Sequence, residues 1–157
     1  MAEIETYARE LRWILSEAAD CLDGLDAAGR TWRPIASGND AETIVRHMLG
    51  ATRAYAVGIG GSVPVGRDRP AEFRRADDDE RLVDRLRALG DEIDDVLSNV
   101  TTEDLDRAAQ ALAEWHGREP PAGTRRDAIV ESIRHAGIHL GELRLTADLA
   151  TRAAGSS

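Results

Sequence analysis

The chain has 157 residues, 42% hydrophobic and 31% charged, which is enough for one globular domain with a core of its own. Its formal net charge of −9 argues against a nucleic-acid partner, whose footprint is a basic patch. No apolar run approaches the ~18 residues of a membrane span. The acidic start Met1-Ala2-Glu3-Ile4-Glu5 shows no secretory signal. Cys21 is the single cysteine, so an internal disulfide is ruled out and the cytoplasm is the expected compartment. At the edge of an apolar stripe, it reads as a packed thiol rather than a reactive one.

In chain order, a first helix is predicted from Ile4 to Ala28. Ile4, Ala8, Leu11, Leu15, Ala18, Leu22 and Leu25 recur at alternating steps of four and three, and Gly29 is placed to end it. Arg30 to Gly38, with Trp32 and Pro34, reads as a loop. The second helix opens on Asn39-Asp40-Ala41-Glu42, a capping-box-like start. Ile44, Met48, Ala51, Tyr55 and Ile59 form its buried stripe, Glu42, Arg46 and Arg53 its wet side, and Gly60-Gly61 its stop. His47 falls on the flank of the apolar arc and points inward. The stretch from there to Ala76, with Pro64, Gly66 and Pro70, is long enough to cross the end of a bundle.

A third helix is predicted to open on Asp77-Asp78-Asp79-Glu80, acids well placed against the helix dipole. Leu82, Leu86, Leu89, Ile93, Val96 and Val100 line its buried side, and Asp84, Arg85, Arg87, Asp91 and Asp95 its solvated side. Thr101-Thr102-Glu103-Asp104 starts a short helix carried by Leu105, Ala108, Ala109 and Leu112. Trp115-His116 then leads into a glycine-proline loop, and Thr124 caps a last helix, Arg125 to Thr151. No β-strand is predicted. One domain over residues 1–152 is expected, with a fraying tail over 153–157. Four amphipathic helices make an all-α four-helix bundle the natural architecture.

The last helix carries the chemistry. On a helical wheel Ile129, Ile133, Ala136, Leu140 and Ala147 form one apolar stripe, and Ile138, Leu145 and Leu149 a second, roughly opposite. Arg126, Arg134, Arg144, Asp148 and Arg152 share one side. So wide an apolar arc predicts burial over most of the girth. His135 and His139, four apart and so on one face, lie between the stripes and point inward. Three inward imidazoles on two helices need partners, since a buried unpaired polar group costs about 1–3 kcal/mol. Two ligands at i and i+4 plus one from a facing helix can hold a cation and leave a position open, which is the pattern of a catalytic rather than a structural site. Hydrogen-bonded core histidines are the alternative. His116, beside the loop, reads as solvated.

The segment Arg134-His135-Ala136-Gly137-Ile138-His139-Leu140-Gly141-Glu142 resembles the H-x-x-x-H-x-G-[QE] signature of the DinB/YfiT-like superfamily, which includes mycothiol-dependent maleylpyruvate isomerases. Asn39 to Gly61, with Ile44-Val45-Arg46-His47-Met48-Leu49, is similar to its second-helix histidine motif. The resemblance spans nearly the whole chain. It implies an up-down-down-up four-helix bundle, a divalent metal (zinc, nickel or iron) on His47, His135 and His139, and a homodimer. It also implies a thiol-dependent transferase or isomerase acting on a small molecule, with a low-molecular-weight thiol such as mycothiol as co-substrate. Glu142, one turn beyond His139, can orient either histidine of its helix or act as a base. Trp32 can wall the pocket or simply anchor its loop. A non-catalytic metal-binding or stress-related bundle, and a metal-free structural dimer, remain the rival readings.

Overall fold

A computed structural model describes residues 2–75, 81–117, 119–120 and 122–155. Helices dominate. The long ones are α1 (Ala2–Asp23), α3 (Ala41–Thr52), α5 (Leu82–Ser98) and α7 (Arg125–Gly155); α2 (Ala27–Thr31), α4 (Arg69–Glu72) and α6 (Thr102–Leu105) are short. The eight residues Arg53–Gly60 continue α3 as a π-helical segment. Such widened turns recur at functional sites. Among the described residues no helix is long and apolar enough to cross a membrane.

α1 packs on α5 and α7, while α3 and the π-helical segment lean on α7 from another side. Leu11, Leu15 and Leu22 of α1, Met48 of α3, Leu86 and Ile93 of α5 and Ile129 of α7 are fully buried and join these helices in one core. Two glycines allow the close approach at the end of the π-helical segment. A Cβ on Gly60 would come within 2.5 Å of Ile129 Cγ1, and one on Gly61 would collide with Val96. The buried Arg125 side chain donates to the Gly60 carbonyl at 2.8 Å, tying the start of α7 to that same corner.

Several boundaries differ from those predicted. The first helix ends at Asp23, and Asp26 restarts the chain as α2 by accepting the Gly29 amide at 2.7 Å. Gly29 therefore sits inside a helix rather than ending one. The start of the second helix is capped by Asp40, whose carboxylate accepts from the Thr43 amide at 2.8 Å. The acidic run Asp77 to Glu80 lies outside the described residues. Thr101 and Asp104 form a reciprocal capping box, but α6 stops at Leu105, and Ala108 instead bridges to Thr124. Arg67–Asp68 and Trp115–His116 form a parallel strand pair, too short to leave an alternating pattern in the sequence. At the other end α7 stays helical to Gly155, beyond the start of the expected tail.

Two faces are also corrected. Glu42 and Arg46, expected to be wet, are buried, because α4 folds down over that side of α3. Arg46 donates to the Glu72 carbonyl at 3.3 Å and to Thr43 Oγ1 at 2.8 Å. On α7 the second apolar stripe is not buried. Ile138, Leu145 and Leu149 are 56%, 61% and 38% exposed, since α1, α3 and the π-helical segment cover only the other sides.

The α1–α5 seam predicts where stability resides. Ile93→Ala empties a fully buried site and is expected to cost about 2–5 kcal/mol in urea unfolding. Leu112→Ala, at a position 44% exposed, is expected to stay within about 0.5 kcal/mol.

Candidate metal centre

α3 and α7 bring the three predicted histidines together. His47 is buried in the middle of α3, and His135 and His139, half-buried, stand one turn apart on α7. One ring nitrogen from each lies within 4.8 Å of the others. The ring centroids are 4.5–4.9 Å apart. His47 Nε2 and His135 Nε2 approach to 3.1 Å. Two ligands each about 2.0–2.1 Å from a zinc ion, at angles near tetrahedral or square, stand about 3 Å from each other.

Two of the rings are held from behind by carboxylates. His47 Nδ1 meets Glu72 Oε2 at 2.6 Å, and His139 Nδ1 meets Glu142 Oε2 at 2.8 Å. An acceptor at Nδ1 puts the proton there and leaves Nε2 as a lone pair facing the cluster, which is the tautomer a metal requires. His135 differs. Its Nδ1 is buried without a hydrogen-bond partner, so no carboxylate fixes its tautomer. Its Nε2–H can donate to His47, or the proton can move to Nδ1 and free Nε2 for a cation. The donor set, three imidazoles with one ring nitrogen each converging on one point, fits a divalent ion of the borderline class.

Glu72 is the residue that the sequence reading missed. It ends α4, a single turn opened by the Asp68 cap and by Pro70, and that Asp-x-Pro start was the available signal. Arg67 Nε and a terminal guanidinium nitrogen donate to the two Glu72 oxygens at 2.9 and 3.1 Å. Burial pushes the Glu72 carboxyl up, but hydrogen bonds from His47 and Arg67 outweigh it and hold the group below the ordinary carboxylate range. Gly50 leaves the space it needs, since a Cβ there would collide with Glu72 Oε1. Arg67 in turn lies over the Tyr55 and Trp115 rings at 5.2 and 5.6 Å, so the strand pair backs the site.

The remaining candidates separate cleanly. Glu142 reaches His139 and not His135, with its side chain 40% exposed. His116 is exposed and pairs with Glu114 at 3.0 Å, outside the cluster. Trp32 lines a cavity with Ala150 and Thr151; Ala150 is eleven residues past His139, about 16 Å along α7. It lines a separate cavity and does not wall this site. Burial raises the Cys21 thiol, which stays protonated.

Burial, then the charges of His139 and His47, push His135 down to about 4, and burial lowers His139 as well. An unfolded imidazole takes up its proton near pH 6.5. Between these values the unfolded chain binds more protons than the folded one, so the metal-free protein is expected to lose stability as pH falls from about 6.5 to about 4. Urea midpoints measured with a chelator present check this, and His135→Leu should flatten the slope.

Residues 7–149 match the family model described as mycothiol-S-transferase. Among solved structures, the chain is similar to a DinB-like protein from Bacillus cereus ATCC 10987. The identity is 15% and the TM-score 0.70, over 96% of this chain and 92% of that one. No curated protein matches it. The shared fold is therefore DinB-like, and by the extent of the family match the chain belongs to the mycothiol-S-transferase family of the DinB/YfiT-like superfamily.

Proposed function

We propose that this protein is a divalent-metal-dependent transferase that joins mycothiol to a small electrophile. The observation that carries the reading is the convergence of His47, His135 and His139, two of them backed by carboxylates, in a chain of a thiol-transferase family. The four long helices then act as one domain in the up-down-down-up order of the superfamily, working in the cytoplasm where low-molecular-weight thiols are kept reduced.

In this reading the three imidazoles hold the cation. A bound divalent cation lowers the pKa of a thiol or water on it and so supplies a nucleophile near neutral pH. Glu72 and Glu142 keep the Nδ1 protons of His47 and His139 pointed away from the cluster. Glu142 acts here as the positioning carboxylate of His139 rather than as a base, since it lies behind that ring. Phe73, 39% exposed with its ring 5.0 Å from that of His47, supplies an apolar wall beside which a small electrophile can lie.

The first test is elemental analysis of untagged protein, beside His47→Ala and His139→Ala. One zinc, nickel or iron per chain is expected in the wild type and none in the variants. Mycothiol conjugation of monochlorobimane should then be stimulated by the metal and abolished by chelation. A wild type that takes up none of these metals under reducing conditions overturns the reading. Metal without conjugation of any electrophile favours the non-catalytic metal-binding alternative.

Glu72→Gln keeps the shape but replaces the anion with a weaker acceptor. It is expected to weaken metal affinity about 10–100-fold, read by competition with a chromophoric chelator.

A further inference from the structure

Among the described residues, three buried side-chain polar atoms have no hydrogen-bond partner within the chain: Thr52 Oγ1 on α3, and Ser132 Oγ and His135 Nδ1 on α7. They are not scattered. α3 and its π-helical extension run antiparallel to α7, since His47 faces His135 and His139 while Gly60 lies against Ile129 and Arg125. Thr52 is five residues beyond His47, and Ser132 is five before Gly137, the midpoint of the two α7 histidines. At a rise of about 1.5 Å per residue, both lie about 7.5 Å from the level of the cluster and so stand opposite each other. Ser132 also precedes His135 by three residues. The two are neighbours on one face, and a helical side chain leans back over the turn before it.

Thr52 and Ser132 are both sealed, at 0% exposure. A hydroxyl inside a helix can return its proton to the carbonyl four residues back, as Thr6 and Thr151 do, but neither of these does so. Ala51, next to Thr52, and Ala128, one turn before Ser132, are fully buried and pack in one cluster. Methyl groups rather than long side chains therefore separate the two helices here. A buried water makes about three hydrogen bonds to polar groups that otherwise go without.

We propose that one ordered water bridges Thr52 Oγ1, Ser132 Oγ and His135 Nδ1, and that the two hydroxyls, acting through it, position His135 as the carboxylates position His47 and His139. A water differs from a carboxylate in that it both donates and accepts. While Nε2 of His135 carries the proton and donates to His47, the water donates to the Nδ1 lone pair. When Nε2 serves as a ligand, the proton sits on Nδ1 and the water accepts it. The hydroxyls follow either state, because each can donate or accept as it rotates. A third carboxylate would commit the ring to one tautomer. Ser132 and Thr52 are thus positioning residues, and their part in holding a cation rests on the metal reading proposed above.

A crystal structure of the metal-free 157-residue chain, with long-range proton–nitrogen spectra of its histidines in chelator, tests the bridge directly. An ordered water within about 3.2 Å of all three atoms is expected. Ser132→Ala combined with Thr52→Val removes both hydroxyls and leaves the packing nearly intact. The His135 Nδ1 resonance should then move towards that of an imine nitrogen without a hydrogen bond, at unchanged helicity. Zinc affinity, read by competition with a chromophoric chelator, should fall about tenfold in this double variant. Thr52→Ser keeps the hydroxyl and loses a methyl, so it should hold the wild-type affinity, whereas a role in packing alone would make it the damaging change. The absence of a water at that position overturns the proposal. So does a ring resonance, or a zinc affinity, that the double variant leaves unmoved. A wild type that takes up no zinc defeats the metal reading instead, and the water and the ring resonance still decide whether the two hydroxyls hold His135.

Discussion

The contact on which the site depends is the buried carboxylate of Glu72, held between Arg67 and His47. A charged carboxylate away from water is tolerable only while it is paired, and removing one partner of such a pair costs about 3–5 kcal/mol. Each partner is fixed by a different part of the chain. His47 comes from α3, Glu72 from the short turn α4, and Arg67 from the strand that pairs with Trp115–His116. The segment between the second and third long helices is therefore not a passive connection. It closes over α3, buries Arg46 and Glu42, and sets the tautomer of one of the three histidines.

That arrangement explains what was legible in the sequence and what was not. The helices of the core announce themselves because their burial follows the 3.6-residue period, and the inward histidines follow from the same wheel. Glu72 and Arg67 carry no such signal. They sit on a turn of four residues and a strand of two, elements too short for any period, and they meet through hydrogen bonds whose partners are distant in the chain. The buried Arg46 was misread for a related reason. A wheel ranks residues by polarity, and it cannot register a covering turn that supplies a carbonyl to receive the guanidinium.

The second stripe of α7 shows the opposite failure. Ile138, Leu145 and Leu149 were expected to be buried because they are apolar, yet they face outward. Periodicity states that a face avoids water and is silent on what covers it. In α7 the neighbouring helices account for the side holding Ile129, Ala136 and Leu140, and nothing among the described residues accounts for the other.

Asymmetry between the two α7 histidines follows from the same geometry. His139 lies one turn from Glu142 and is held by it, whereas the Nδ1 of His135 is enclosed without an acceptor. A ring fixed at Nδ1 is committed to presenting Nε2, while an unfixed ring can give its Nε2 proton to His47 or withdraw it. Two lone pairs at the 3.1 Å separation of His47 and His135 would repel, and a proton on Nε2 of His135 turns that contact into a hydrogen bond. Were a cation to enter the cluster as proposed, it would need to displace one hydrogen bond, between His47 and His135, rather than rebuild the site. The cluster thus joins two carboxylate-backed rings, one on each helix, to one adaptable ring.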